Sequence, residues 1–254
     1  MSLASTLIVA GAGFGFVVVC TDILGRAGFG TLLLALSLYS MPAFLLTSLV
    51  ERPAFLHLSR IPVGERDGDV RRLTGVAFAR SLLIGALIAM LGMGVAPWLE
   101  DAFAAPELAD WMRMLAPVPI LFAGWNTLAS CAQARQRVAL YALGGAGLHA
   151  GLQLALAAVA AMLVPEPPAL AAALVTANAL TCLFLAARSP MRISGLAAIE
   201  RGDMRYGAEL SLTRLLTHAE TTSDVWLVGL VTTPEGIALY GVARRIARLL
   251  NLGK

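Results

Sequence analysis

Apolar residues in this chain run in long blocks, separated by short polar connections. A helix needs about 20 mostly apolar residues to cross the hydrocarbon core of a bilayer. That length predicts helices near 4–24, 30–50, 74–97, 114–134, 138–164, 168–187, 207–232 and 236–252. The implied fold class is all-α, a polytopic transmembrane bundle of about eight helices.

Composition strengthens the reading. Of 254 residues, 58% are hydrophobic and 14% are charged, whereas a soluble domain carries about 25% charge to solvate its surface. No basic residue precedes the first apolar block, so that block reads as a retained helix and not a signal peptide. Cys20, Cys131 and Cys182 all fall inside apolar blocks, where they read as small buried hydrophobes.

Charge then sets the topology. Arg52, Arg60, Arg66, Arg71 and Arg72 follow the second helix, Arg135 and Arg137 the fourth, and Arg188, Arg192, Arg201 and Arg205 the sixth. The alternate connections hold acids instead: Glu100, Asp101, Glu107 and Asp110 in one, Glu166 in the next, Glu235 in the third. By the positive-inside rule the Arg-rich connections and the N-terminus are cytoplasmic. Trp98, Trp111 and Trp226 are expected near the opposite interface.

Small residues in Gly11-Ala-Gly-Phe-Gly15 and Gly144-Gly-Ala-Gly147 would let helices 1 and 5 pack closely inside the bundle. Pro42, Pro117 and Pro119 would kink helices 2 and 4. A weak internal repeat appears at an offset of 208 residues: Gly28 meets Gly236, Phe29 meets Ile237, Gly30 meets Ala238 and Ala35 meets Ala243. Both copies open a helix after an outer turn, as in a parallel repeat.

Leu24-Gly25, Phe29-Gly30 and Ala35 resemble the first-turn signature of the polysaccharide biosynthesis flippases, exporters of lipid-linked sugar repeats in the same superfamily as the multidrug and toxin extruders. Asp224-Val-Trp-Leu-Val-Gly229, Pro234-Glu-Gly, Tyr240, Ala243 and Arg245-Ile246 resemble that family's second signature. Arg26, Leu32 and Ala238 depart from its usual Pro, Tyr and Gly. The resemblance implies two six-helix lobes. On it, residues 1–200 form the first lobe and 201–254 the first two helices of a second, so the chain would be a fragment of a longer flippase. The implied substrate is an undecaprenyl-diphosphate-linked oligosaccharide, moved from the cytoplasmic to the periplasmic leaflet of the bacterial inner membrane. The implied partners are membrane lipids and a glycan polymerase or other assembly protein.

Ionisable residues inside a span are costly unless they face a wet cavity or a partner. The seventh helix is densest in them. Glu209, Thr213, Arg214, Thr217, His218, Glu220, Thr221 and Asp224 fall on one half of its circumference at 100° per residue. Glu209, Arg214, His218, Glu220 and Asp224 are therefore candidates to line a substrate cavity, with Arg214 matched to phosphate oxygens. The alternative is a set of neutralised pairs, Arg214 with His218 and Glu220 with Asp224. Glu51 and Arg52, at the inner end of helix 2, are read as cavity gate or interfacial anchor, and Asp22 with Arg26 as a pair four residues apart. Asn126, His149, Gln153 and Asn178 are expected to hydrogen-bond between helices.

The sequence carries no nucleotide loop, no nucleophile elbow and no metal-ligand spacing. No cofactor and no enzymatic activity are expected, and no nucleic-acid partner. Three rival functions stay open: an ion-coupled drug exporter with a carboxylate cleft, a membrane-bound polymerase or ligase, and a scaffold of a glycan-assembly complex.

Overall fold

The computed structural model describes residues 3–62, 67–142, 147–192 and 223–251. Helices account for nearly all of them, and no strand occurs among the described residues. In chain order they are α1 (Leu3–Arg60), α2 (Asp67–Ala102), α3 (Leu108–Met114), α4 (Pro117–Ala134), α5 (Val138–Tyr141), α6 (Leu148–Leu163) and α7 (Pro167–Arg188). Residues 223–231 form α8, and α9 is Pro234–Asn251.

The long run α1 is two helices joined at Gly25, whose φ of 69° lies in the left-handed region that glycine adopts without penalty. Contacts with α9 show that the chain folds back there. Gly30 lies against Pro234, Leu33 against Gly241, and Gly13 against Arg245. Moving along α9 one meets residue 30, then 33, then 13, an order that a continuous α1 could not give. Gly25 also stands between Asp22 and Arg26. The break removes the helical spacing their pairing needs, and both stay exposed without an ion pair between them.

Apolar length produces the spans. Among the described residues, the α1 run, α2 and α7 are long and apolar enough to cross a membrane, and α3 with α4 is so when the two are taken together across a bend of 50°. The protein is thus a multi-pass helical membrane protein. The bend falls at Pro117 and Pro119, where proline at the start of α4 gives up a donor the first turn does not use. Pro42 and Pro53, by contrast, sit in α1 without non-helical torsions. α9 fills its predicted length but is too rich in Arg, at 244, 245 and 248, to be one of the apolar spans.

The ends of the bundle sort as the charges do. At one end Arg135 donates to the carbonyls of Leu58, Ile61 and Pro62, Arg137 to that of Arg188, and the Arg192 amide to that of Arg71. At the other, Glu100 accepts the Ala109 amide at 2.8 Å and so caps the first turn of α3. There Phe103 also approaches Gly229. Trp98 is 69% exposed at this end, as an interfacial residue should be. Trp111 departs from that expectation: it is 1% exposed, packed in the core beneath the capped turn.

Close packing uses the small residues. Gly85 of α2 faces the backbone of Pro119 and Ile120, and one turn away Ser81 and Thr127 share a hydrogen bond of 2.7 Å. Gly15 meets Leu154 of α6, but Gly11 meets nothing within 4 Å and Phe14 and Val18 are exposed, so this helix packs on one face and leaves another open. All three cysteines are buried and unpaired.

Candidate functional site

The second arm of α1, with α4, α6, α7, α8 and α9, encloses a cleft of about 530 Å³. Its polar lining is Ser37, Ser40, Asn126, His149, Gln153, Asn178, Arg244 and Arg245. Apolar and aromatic side chains, Phe44, Phe122 and Trp125 among them, make up much of the rest.

Several of these groups are fixed by neighbouring side chains. Asn178 of α7 accepts from the Trp125 indole at 3.1 Å and donates to the Leu174 carbonyl at 2.9 Å. Trp125 stacks on His149, centroids 5.0 Å apart and planes 30° apart, and meets Phe122 edge-on at 5.2 Å. The Nδ1 of His149 is buried and has no hydrogen-bond partner among the described residues. Asn126 donates to the Glu51 carboxylate at 2.9 Å. Of the four polar residues expected to bond between helices, Asn126 and Asn178 do so. His149 stacks instead, because its ring lies flat against the indole.

Arginine enters from α9. Pro234 starts that helix at the end of the bundle where Phe103 meets Gly229, and Arg245 stands eleven residues later, about 16 Å along the axis. That length is about half the thickness of a hydrocarbon core of about 30 Å. A guanidinium there costs about 2.5–3.5 kcal/mol on insertion scales unless it is solvated or paired. Arg245 donates to the Gly13 carbonyl. Arg244 pairs with Asp224 at 3.3 Å, and the same carboxylate accepts from the Tyr240 hydroxyl at 2.6 Å. The described lining residues include two guanidiniums and no carboxylate; Asp224 and Glu51 sit one contact behind them.

Of the residues singled out in the sequence, Glu209, Arg214, His218 and Glu220 lie outside the described residues. Asp224 stands beside the cleft through its ion pair with Arg244. Its side-chain partners among the described residues, Arg244 and Tyr240, are on α9, and it also accepts the Val225 amide at 2.8 Å. Arg52 is not among the cleft-lining residues, and its Nε is buried without a hydrogen-bond partner among the described residues. Glu51 is no interfacial anchor: the helix continues to Arg60, and the residue is 4% exposed. Sequence reasoning passed over Arg244, whose position inside the last predicted span was the signal, and counted Arg245 only as a signature residue.

The repeat copies meet in this structure. A Cβ on Gly30 would overlap the Pro234 carbonyl. A Cβ on Gly28 would stand 3.0 Å from Leu24, and one on Gly236 would stand 2.9 Å from Thr232. Leu24 and Thr232 are themselves separated by the repeat offset, so both turns carry the same local contact.

The chain matches the polysaccharide biosynthesis protein family over residues 23–251. It belongs to that family. The match takes in both signature turns and the whole described cleft of this polysaccharide biosynthesis family protein. No curated protein sequence matches it. Among solved structures it is similar to a crystal structure of MATE in complex with Br-NRF, with a TM-score of 0.58 and 15% identity. That likeness is one of fold. It covers 95% of this chain and 61% of the other, so the chain spans under two thirds of that protein's length.

Proposed function

We propose that this chain is part of a flippase that moves an undecaprenyl-diphosphate-linked oligosaccharide from the cytoplasmic to the periplasmic leaflet of the bacterial inner membrane. The observation that carries the reading is the cleft: Arg244 and Arg245, along α9, share a lining with amide and imidazole groups around about 530 Å³. A diphosphate-linked sugar is anionic and too polar to enter hydrocarbon unaided. Guanidinium matches phosphate oxygens and keeps its charge at any relevant pH. Asn126, Gln153 and Asn178 offer the donors and acceptors that sugar hydroxyls need. In this reading Arg245 holds the diphosphate, with Arg244 beside it and Asp224 fixing the position of Arg244.

Family membership supports the saccharide, and the MATE-like fold supports a membrane exporter over an enzyme. The rival reading, ion-coupled export of cationic compounds, wants a cleft dominated by carboxylates. Among the described residues, Asp224 and Glu51 are both hydrogen-bonded behind the lining and two guanidiniums are in it, which favours the anionic substrate.

The test is Arg245→Ala beside Arg245→Lys in cells that depend on the intact gene, at matched protein levels. The alanine variant is expected to accumulate lipid-linked oligosaccharide on the cytoplasmic leaflet and lose surface glycan, with partial rescue by lysine. Full glycan export by Arg245→Ala would remove the proposal. Loss of resistance to a cationic dye with normal glycan would establish the rival.

A further inference from the structure

The Arg-rich end of the bundle holds a small cavity of about 60 Å³ that shares no lining residue with the cleft. Its floor is buried and uncharged, built from Val70 and Thr74 of α2 and Cys131 of α4. Arg135 and Arg137, in the turn after α4, and Ser189, just past α7, bring polar groups to it. One water needs about 10–15 Å³ of such space, so the cavity has room for the tetrahedral oxygens of one phosphate group.

Both guanidiniums are held in place by neutral partners. Arg135 donates to the Leu58, Ile61 and Pro62 carbonyls, where α1 ends, and Arg137 to the Arg188 carbonyl at 3.2 Å, where α7 ends. Bonds to the last carbonyls of a helix fix an arginine without neutralising it. Neither Arg135 nor Arg137 forms an ion pair among the described residues, and the described lining includes no carboxylate. The Glu51 carboxylate is within electrostatic reach of Cys131, but it is bonded to Asn126 on the cleft side. Two fixed, uncompensated guanidiniums beside a hydroxyl match the oxygens of a phosphate, which they can meet in forked pairs of hydrogen bonds.

The surroundings point to the source of that phosphate. By the positive-inside rule this end lies at the cytoplasmic leaflet, whose anionic headgroups are drawn to basic pockets between helices. The flank of the cavity is apolar: Val138, next to Arg137, is exposed, and so are Leu183 and Phe184 in the last turns of α7. Arg188 lies over the Phe184 ring, 5.5 Å from its centroid, as a side chain at a membrane interface does. We propose that the cavity is a site for a phosphate group, and that its apolar flank assigns the group to an anionic phospholipid of the cytoplasmic leaflet. The headgroup phosphate sits between Arg135 and Arg137, and the acyl chains lie along α5 and α7. Bound there, the lipid joins the inner ends of α4 and α7. The inference does not depend on what the central cleft carries.

The experiment uses the full chain, purified in detergent and stripped of lipid. Radiolabelled phosphatidylglycerol, phosphatidylcholine and inorganic phosphate are offered separately, and retention per chain is counted beside a thermal unfolding curve. The expected result is that phosphatidylglycerol is retained in preference to the other two. Arg137→Gln is expected to weaken its retention about fivefold, the share of one basic residue at a membrane surface, and Arg137→Lys to restore part of it. Ser189→Asp brings a carboxylate to the arginines and is expected to abolish retention without lowering the unfolding midpoint. Arg72→Gln removes the same charge from an exposed side chain outside the lining and is expected to leave retention unchanged. Equal losses in Arg72→Gln and Arg137→Gln would make the retention a diffuse surface attraction and overturn the site. Retention of inorganic phosphate alone would assign a soluble phosphate and overturn the lipid. Full retention of phosphatidylglycerol by Ser189→Asp, or none by the unsubstituted chain, would also sink the proposal.

Discussion

Two glycines of α2 respond oppositely to the same substitution if the packing described above governs stability. Gly85→Ala places a Cβ 2.6 Å from the Ile120 Cα and 2.6 Å from the Pro119 carbonyl oxygen. Both are backbone atoms and cannot rotate away. Ordinary contact begins at about 3.4 Å, so α2 and α4 must separate locally by about 0.8 Å, the difference of those distances. Overpacking of this kind costs about 1–3 kcal/mol. The separation also stretches the Ser81–Thr127 hydrogen bond one turn away. Gly94→Ala, nine residues further along, meets nothing within 4 Å. There the gain in helix propensity is about 0.8–1.0 kcal/mol at most. Thermal unfolding of both variants in one detergent, followed by tryptophan fluorescence, compares the two signs directly. A Gly85→Ala variant as stable as Gly94→Ala would refute the claim that the α2–α4 seam is set by backbone contact.

Other perturbations test the cleft wall and the inner end. Asn178→Leu strands the buried Trp125 indole N–H, at a cost of about 1–3 kcal/mol, seen as a lower midpoint in the same assay. Asp224→Asn keeps an acceptor for Tyr240 but releases Arg244. If Arg244 contributes to the proposed phosphate site, glycan export should fall at matched protein levels, and unchanged export would remove Asp224 from that role. Arg135→Met unties the Leu58, Ile61 and Pro62 carbonyls, and faster proteolysis between α1 and α2 is the expected readout.

Much of the fold was legible because lipid imposes one rule, that backbone groups be satisfied within helices, and apolar length then marks each span. The Arg-rich connections meet at one end for the same electrostatic reason that let them be grouped. What was not legible depended on partners far along the chain. Nothing local to Trp111 says that a turn capped by Glu100 will cover it, or that Glu51 will be reached by Asn126, 75 residues away. Arg244 and Arg245 were readable in principle: charge inside a predicted span is a site candidate by the argument applied to the seventh helix. The span's place at the end of the chain diverted attention to its family signature.

That signature has a mechanical content in the structure. Gly30 is needed because the Pro234 carbonyl occupies the space where its Cβ would be, and Pro234 opens the helix that carries Arg244 and Arg245. The first copy of the repeat therefore seats the second, and the seat lies at the outer end, next to the approach of Phe103 to Gly229. The arginines lie deeper on the same rigid helix. Any motion that parts the outer seam swings them relative to Asn126 and Asn178 on α4 and α7. In the proposed transport cycle, opening that seam and moving the charged wall of the cleft are then one event, because a single helix carries both.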